Sequence, residues 1–273
     1  MNNYKLGWLP DFPDHRDFHI EQALPGLLNL SGTMPTVVDL RGAFSPIENQ
    51  GKLGSCTAQA GASLVEYMER KYGKKHIEAS RLFLYKNSRR LGGLTGDSGA
   101  WLRDTMKALR LFGIPPEQYF PYDIAKFDAE PDAFTYSMAG NFKSLKYFRV
   151  DKKPNTVDEI HKAIKISLSK GLPLIFGSTV YQSIFTCNGS IPFPSAGEAV
   201  AGGHAMVICG YSDSYSCVGT MRPGAFLIRN SWGTSWGLDG YGWLPYEYLF
   251  AGLMSDIWGI TKQDWVDVDA FNL

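Results

Sequence analysis

A chain of 273 residues, 44% of them hydrophobic and 20% charged, can bury a large core as one large domain or two closely apposed lobes. Lys+Arg and Asp+Glu are equal at 27 each, so no basic surplus points to nucleic acid or to an anionic membrane, and neither is expected as a partner. No apolar run approaches the roughly 18 residues that cross a bilayer. The opening MNNYKLGWLPDFPDHRDFHI lacks the basic-then-apolar order of a secretory signal, which leaves the compartment open between the cytoplasm and export by another route.

Residues 1–34, rich in Pro and Asp, read as an irregular N-terminal leader, because the WLP and FPD steps favour extended or turn conformations. The rest, 35–273, reads as the main domain. From Ser55 to Tyr72 apolar residues recur at helical spacing (Ala58, Ala62, Val65, Met68), and Gly73 follows as a stop. RLFLYKNSRRL and WLRDTMKALRLFG continue the helical pattern, so a helical lobe is expected over about 50–140. After a further helix at TVDEIHKAIKISLSKG the character changes. LPLIFGSTV, HAMVICGYS, GAFLIRNS and GYGWLPY are short β-branched or aromatic runs divided by Gly, Pro and Asn, and predict a strand-rich lobe over about 141–273. The fold class is therefore α+β, with a cleft between the lobes.

The four cysteines, Cys56, Cys187, Cys209 and Cys217, are too few for a disulfide scaffold and show no paired C-x-x-C zinc spacing; no metal or organic cofactor is expected. Cys56 sits between a glycine-rich turn and a helix, where the helix N-terminus favours a thiolate. Alone it reads more readily as a small buried residue. Of the five histidines, His15 and His19 fall in the leader, His76 in a charged turn and His161 on a charged helix, and all four read as solvated. His204 differs: AGGHAMVICGY places it at the start of an apolar strand, after two glycines that allow another backbone or a substrate to approach. Asn230 in RNSWGTSWGLDGYG can orient an imidazole through its side-chain oxygen. Gln50 can offer an amide to a developing oxyanion together with the Cys56 N–H.

NQGKLGSCTA, GGHAMVICGY and RNSWGTSWGLDGYG together resemble the papain and cathepsin cysteine peptidases, which carry glutamine, cysteine, histidine and asparagine in this order. The resemblance covers about Pro35 to Ile260. It implies a two-lobe fold, helical on the left and β-barrel-like on the right, with the active-site cleft between. It also implies that Gln50 lines the oxyanion hole, Cys56 is the nucleophile, His204 its base and Asn230 the orienter, with Trp232 shielding the histidine–asparagine bond. GDSGAWLRDTMKALRLFGIPPEQYFPYD aligns without gaps to the family's middle section. On that alignment Gly99 and Ala100 hold an extended peptide by backbone hydrogen bonds. Trp101 and Leu102, with Gly177, Gly203 and the segment from Gly252 to Asp256, border the substrate groove, and the pocket there is expected to take an apolar or aromatic side chain.

The chain departs from the family in reading Leu53-Gly54-Ser55-Cys56-Thr57, without the first cysteine of a family disulfide or the aromatic after the nucleophile. Ala100 stands for a glycine, a lengthened hairpin is expected at SDSYSCVGTMRPG, and the short leader replaces the long pro-region and is expected to cover part of the cleft. Two serine motifs compete. GTSWG fits the G-x-S-x-G elbow at Ser235, but no histidine follows it; TGDSGA brings Ser98, for which a helix-start role is expected instead. The function expected is peptide-bond hydrolysis by a cysteine endopeptidase, monomeric, with polypeptide substrates and protein inhibitors of papain-like enzymes as partners. The alternatives are a catalytically weak peptide-binding protein on the same fold, or a thiol acyltransferase.

Overall fold

The computed structural model describes residues 4–25, 33–73, 76–151 and 155–263. Its elements in chain order are β1 (Trp8–Leu9), α1 (Ile20–Ala23), β2 (Val37–Asp39), α2 (Cys56–Met68), α3 (Arg81–Leu91), β3 (Ala100–Trp101), α4 (Leu102–Leu111), α5 (Ala133–Ala139), β4 (Ser144–Arg149), α6 (Val157–Ser169), β5 (Leu174–Tyr181), β6 (Val200–Ser212), β7 (Ala225–Arg229), β8 (Tyr241–Pro245), α7 (Glu247–Phe250) and β9 (Met254–Gln263). No helix is long and apolar enough to cross a membrane among the described residues.

The helices begin and end where local chemistry directs. Ser80, Asp132 and Thr156 cap α3, α5 and α6 by accepting backbone N–H groups, and Thr156 closes a capping box with Glu159. The run expected from Ser55 to Tyr72 is α2 followed by a wider π turn over Glu69–Gly73. The strands form one sheet in the order β4-β9-β5-β6-β7-β8, with β2 added on β6. The neighbours along this path are antiparallel, and the SDSYSCVGTMRPG stretch joins β6 to β7 as a hairpin closed by the Ser212 and Ala225 pair. The sheet stays open, with β4 and β8 at its ends, so no closed barrel forms among the described residues, and the α+β two-lobe class is as expected.

Alternation along the strands serves two cores. Ile175, Ala205, Val207, Cys209 and Leu227 face α2, α3 and α4; Leu174, Phe176, Met206, Ile208, Phe226 and Ile228 face the other way, toward α6 and α7. The leader is less irregular than its composition implies. Its β1 pairs in parallel with β3, Trp8 opposite Ala100 and Leu9 opposite Trp101, and Pro10, which lacks an N–H, follows the strand directly.

Two of the histidines expected to be solvated are not. His19 is buried, with Nε2 at 2.9 Å from the Asn155 side chain. His161 is half-buried among the rings of Phe226, Tyr246 and Phe250, because α6 turns that face onto the sheet despite its charged neighbours.

Candidate active site

Gly51, in the left-handed region at φ 59°, turns the chain ahead of α2. The turn is tied to the loop before β3. Asp97 accepts from the Gly54 N–H at 3.0 Å and from the Tyr85 hydroxyl at 2.6 Å, and that hydroxyl accepts from the Gly99 N–H at 3.0 Å. Cys56 thus opens α2 beside the Gly99–Ala100 edge. Its sulfur is fully buried, and burial pushes the thiol up to about 11, although the backbone N–H groups of Ala205, Gly7, Thr57 and Cys56 itself pull the other way. Ala205 is the next residue after His204 on β6.

His204 is also fully buried. Its Nε2 lies 2.7 Å from Asn230 Oδ1, an acceptor, so the ring proton sits on Nε2 and Nδ1 is left with its lone pair. Asn230 Oδ1 also accepts from the Ser231 N–H at 2.8 Å, which locks the amide. Trp232 stacks on the imidazole with centroids 4.6 Å apart, meets Trp236 edge-on, and stacks with Phe185. Desolvation drives His204 down to about 4, against the Asn230 hydrogen bond. His204 Nδ1, Asn230 Nδ2 and Trp232 Nε1 are buried without hydrogen-bond partners.

Gln50 comes from the opposite side of the groove. Its backbone N–H donates to the Ser231 carbonyl at 2.9 Å, and its Oε1 accepts from the Ser231 hydroxyl at 2.6 Å, which points the amide nitrogen inward. That nitrogen donates to Leu53 O at 3.0 Å and to Lys5 O, a leader carbonyl, at 2.8 Å. Ser231 was not singled out in the sequence, although it lies inside the RNSWG motif.

The groove is filled by the leader. Tyr4 stacks on Trp232 at 4.9 Å and its hydroxyl donates to Trp232 O. The Ala100 N–H donates to Gly7 O at 2.8 Å, so the alanine that replaces a family glycine still binds an extended backbone. Gly177 and Gly203 form the walls under Trp8: a Cβ at either would run into it. Leu102 is fully buried in the apolar cluster that includes Trp8. The Trp101 ring lies against Gly92 and Phe12.

Beyond Trp8 lies a charged cluster with no signature in the sequence. The Trp8 indole N–H and the Asp11 N–H both donate to Asp256 Oδ2, at 3.1 and 2.7 Å. Arg149 bridges Asp256, Asp17 and Asp151, and Arg103 holds Asp17 by two hydrogen bonds of 2.7 Å. Ser98, expected at a helix start, lies in the loop before β3 and donates to Gly99 O; Ser235 is exposed in a turn. All four cysteines are free thiols, and the described residues contain no cluster of metal-ligating side chains.

The papain family cysteine protease model matches residues 34–253. An uncharacterised peptidase C1-like protein of Acanthamoeba polyphaga mimivirus is 33% identical over 94% of this chain and 86% of its own. Xylellain, a cysteine protease from Xylella fastidiosa, superposes with a TM-score of 0.77 at 33% identity, over 94% of this chain and 96% of its own. The bromelain protease of Ananas comosus, solved with an inhibitor, shares the fold with a TM-score of 0.62 at 18% identity, covering 84% of this chain and all of its own. On the extent of the family match and the identity to these relatives, the chain belongs to the papain family of cysteine proteases.

Proposed function

We propose that the protein hydrolyses peptide bonds of extended polypeptides, with Cys56 as nucleophile, His204 as base and acid, Asn230 as the group that sets the imidazole, and Gln50 with the Cys56 N–H as the oxyanion hole. The observation that carries this reading is the Lys5 carbonyl on Gln50 Nε2: a peptide C=O already docks on that amide in the groove beside Cys56. The Cys56 sulfur attacks the carbonyl carbon and its proton passes to His204 Nδ1, the nitrogen left open by the Asn230 bond. His204 then protonates the leaving amine, and the carbonyl collapses to a thioester. Water, deprotonated by His204, attacks the thioester and releases the acid and the thiol. Trp232 and the buried wall behind it keep bulk water from the imidazole–amide bond.

In this reading the described leader residues, 4–25, hold the enzyme closed. The leader blocks the groove sterically. By excluding water it also keeps thiol and imidazole neutral at pH 7, with the thiol near 11 and the imidazole near 4, so neither is charged. Withdrawal of the leader readmits water and allows the thiolate–imidazolium pair. The test is cleavage of an unfolded protein by the full chain and by Cys56→Ala and His204→Ala. Each variant is expected to lose roughly 10⁴-fold or more in rate. Cleavage surviving in Cys56→Ala ends the proposal.

A further inference from the structure

Away from the groove, positive charge collects in one place. A cavity of about 500 Å³ lies between the leader, α4 and β4. Arg103, Lys107 and Arg110 line it from α4, at the i, i+4, i+7 spacing that sets side chains along one helix face; Lys146 adds a fourth cation from β4 and Arg16 a fifth from the leader. Only two carboxylates, of Asp14 and Asp17, share the lining, although the chain as a whole carries no net charge.

Ion pairing absorbs part of this surplus and leaves the rest. Asp14 takes Arg16 at 2.7 Å, Asp17 takes Arg103 at 2.7 Å, and Asp104, outside the lining, takes Lys107 at 3.3 Å. Among the described residues, Arg110 and Lys146 have no carboxylate within ion-pair distance. Like charges at i+3 and i+4 on a helix repel, so the bare face is a cost that a bound anion would offset.

The walls are already fixed. Arg103 is held by two hydrogen bonds to Asp17 and lies over the Trp258 ring at 5.9 Å, and the Tyr147 ring meets Trp258 at 5.8 Å. On the leader side the Arg149 N–H donates to Phe18 O at 2.7 Å, while the Phe18 ring stays 42% exposed. Little ordering is left for a ligand to impose.

We propose that this cavity binds a small organic phosphate, with Arg110 and Lys146 holding the phosphate group and the rings of Phe18 and Tyr147 carrying the organic part. A phosphate monoester brings about −1.5 to −2 at pH 7, which matches the two cations left without carboxylates, and an Arg fork beside a Lys point charge suits its oxygens. A carboxylate brings only one charge. The volume is that of a small-molecule site, well beyond one phosphate group. Neither Cys56 nor His204 lines the cavity, so the assignment stands or falls independently of the peptidase reading.

Calorimetric titration of the full chain at pH 7 and low ionic strength tests this with phenyl phosphate, benzoate and inorganic phosphate. Phenyl phosphate is expected to bind one to one, at least about tenfold tighter than benzoate, which keeps the ring but carries less charge. It is also expected to bind more tightly than inorganic phosphate, which lacks the ring. Arg110→Gln combined with Lys146→Gln, both at exposed positions, should weaken phenyl phosphate at least about tenfold. Arg90→Gln combined with Lys126→Gln, which removes the same charge from other exposed surface, should leave it unchanged. Lysine acetylation needs no variant: phenyl phosphate should slow modification of Lys107 and Lys146 and not of Lys126. The absence of saturable binding, parity between benzoate and phenyl phosphate, equal losses in the two double variants, or unprotected Lys146 overturns the proposal. Inorganic phosphate binding as tightly as phenyl phosphate, with the same dependence on Arg110 and Lys146, assigns the cavity to free phosphate and overturns the organic part.

Discussion

The leader is held at two ends by opposite chemistry. At the Cys56–His204 end it contributes backbone and apolar surface, and burial makes both titrating groups neutral. At the Asp11–Asp256 end, four carboxylates, of Asp11, Asp17, Asp151 and Asp256, gather on two guanidiniums, of Arg103 and Arg149, with His15 lining the same cavity of about 480 Å³. There burial, and then the Asp256 charge, push Asp11 up to about 7, while burial holds Asp256 at about 6.

The proton balance therefore has opposite sign at the two ends. His204 is held at about 4 in the closed form, below the 6.5 of a hydrated imidazole, so the closed form binds fewer protons, and closure weakens as pH drops through that range. Asp11, which leaves with the leader, stands at about 7 in the closed form against an ordinary 3.8, and Asp256, part of whose burial stays with the body, stands at about 6, so the closed form binds more protons there. Their contribution is fully present below 3.8 and is lost as pH rises through 6 to 7. Two carboxylates outweigh one imidazole, and the leader is expected to hold more tightly in mild acid than in mild base.

Four changes break or sharpen this contrast. The largest effect is expected from Arg149→Met, which strands carboxylates in a buried site: about 3–5 kcal/mol of stability lost in denaturant unfolding. A loss under about 1 kcal/mol, no more than an exposed ion pair contributes, would mean that the cluster is not what anchors this end. Next, Gly7→Ala attacks the other end alone, since its Cβ would strike the Gly54 carbonyl. Overpacking of about 1–3 kcal/mol should speed Cys56 alkylation by roughly 5- to 150-fold, without altering how leader opening depends on pH. A rate equal to the parent's removes Gly7 from the closure.

Asp11→Asn addresses the sign directly. Amide exchange over residues 5–9, corrected for intrinsic rate, should slow in the parent chain between about pH 8 and pH 5, by up to about tenfold per unit for each proton taken up. The variant should flatten or reverse this trend, because the His204 contribution then stands with less opposition. Acid-driven opening in the parent chain would contradict the carboxylate count. The smallest effect is expected from Lys5→Ala. Its ion pair with Asp97 is half exposed, so closure should weaken by less than about 1 kcal/mol and the difference should fade with added salt.

Much of the architecture was legible because it is encoded locally. The periodicity that ends at Gly73 and the β-branched runs of β5 to β7 both act within a few residues. The order Gln50, Cys56, His204, Asn230 could be read because each sits in a short motif with its own glycines. The threading of Tyr4–Leu9 could not: a two-residue strand has no period, and its partners, Ala100, Gly177, Gly203 and Asp256, lie far along the chain. His19 and His161 were misread for the same reason, since their local neighbours are polar while their packing partners come from elsewhere. Asp256 was noticed only as the end of the Gly252–Asp256 segment, and its carboxylate role appeared once Trp8 was seen above it.

By itself the sequence determined the main helices and strands of the two lobes and the family, and it singled out the candidate catalytic side chains; all of these depend on short-range sterics and on motifs that span a few residues. Tertiary structure alone decided which leader residues lie in the groove and what each one touches, which nitrogen of His204 is open, and which groups are charged. Those properties follow from burial and from neighbours dozens to hundreds of residues away, and no local pattern carries them.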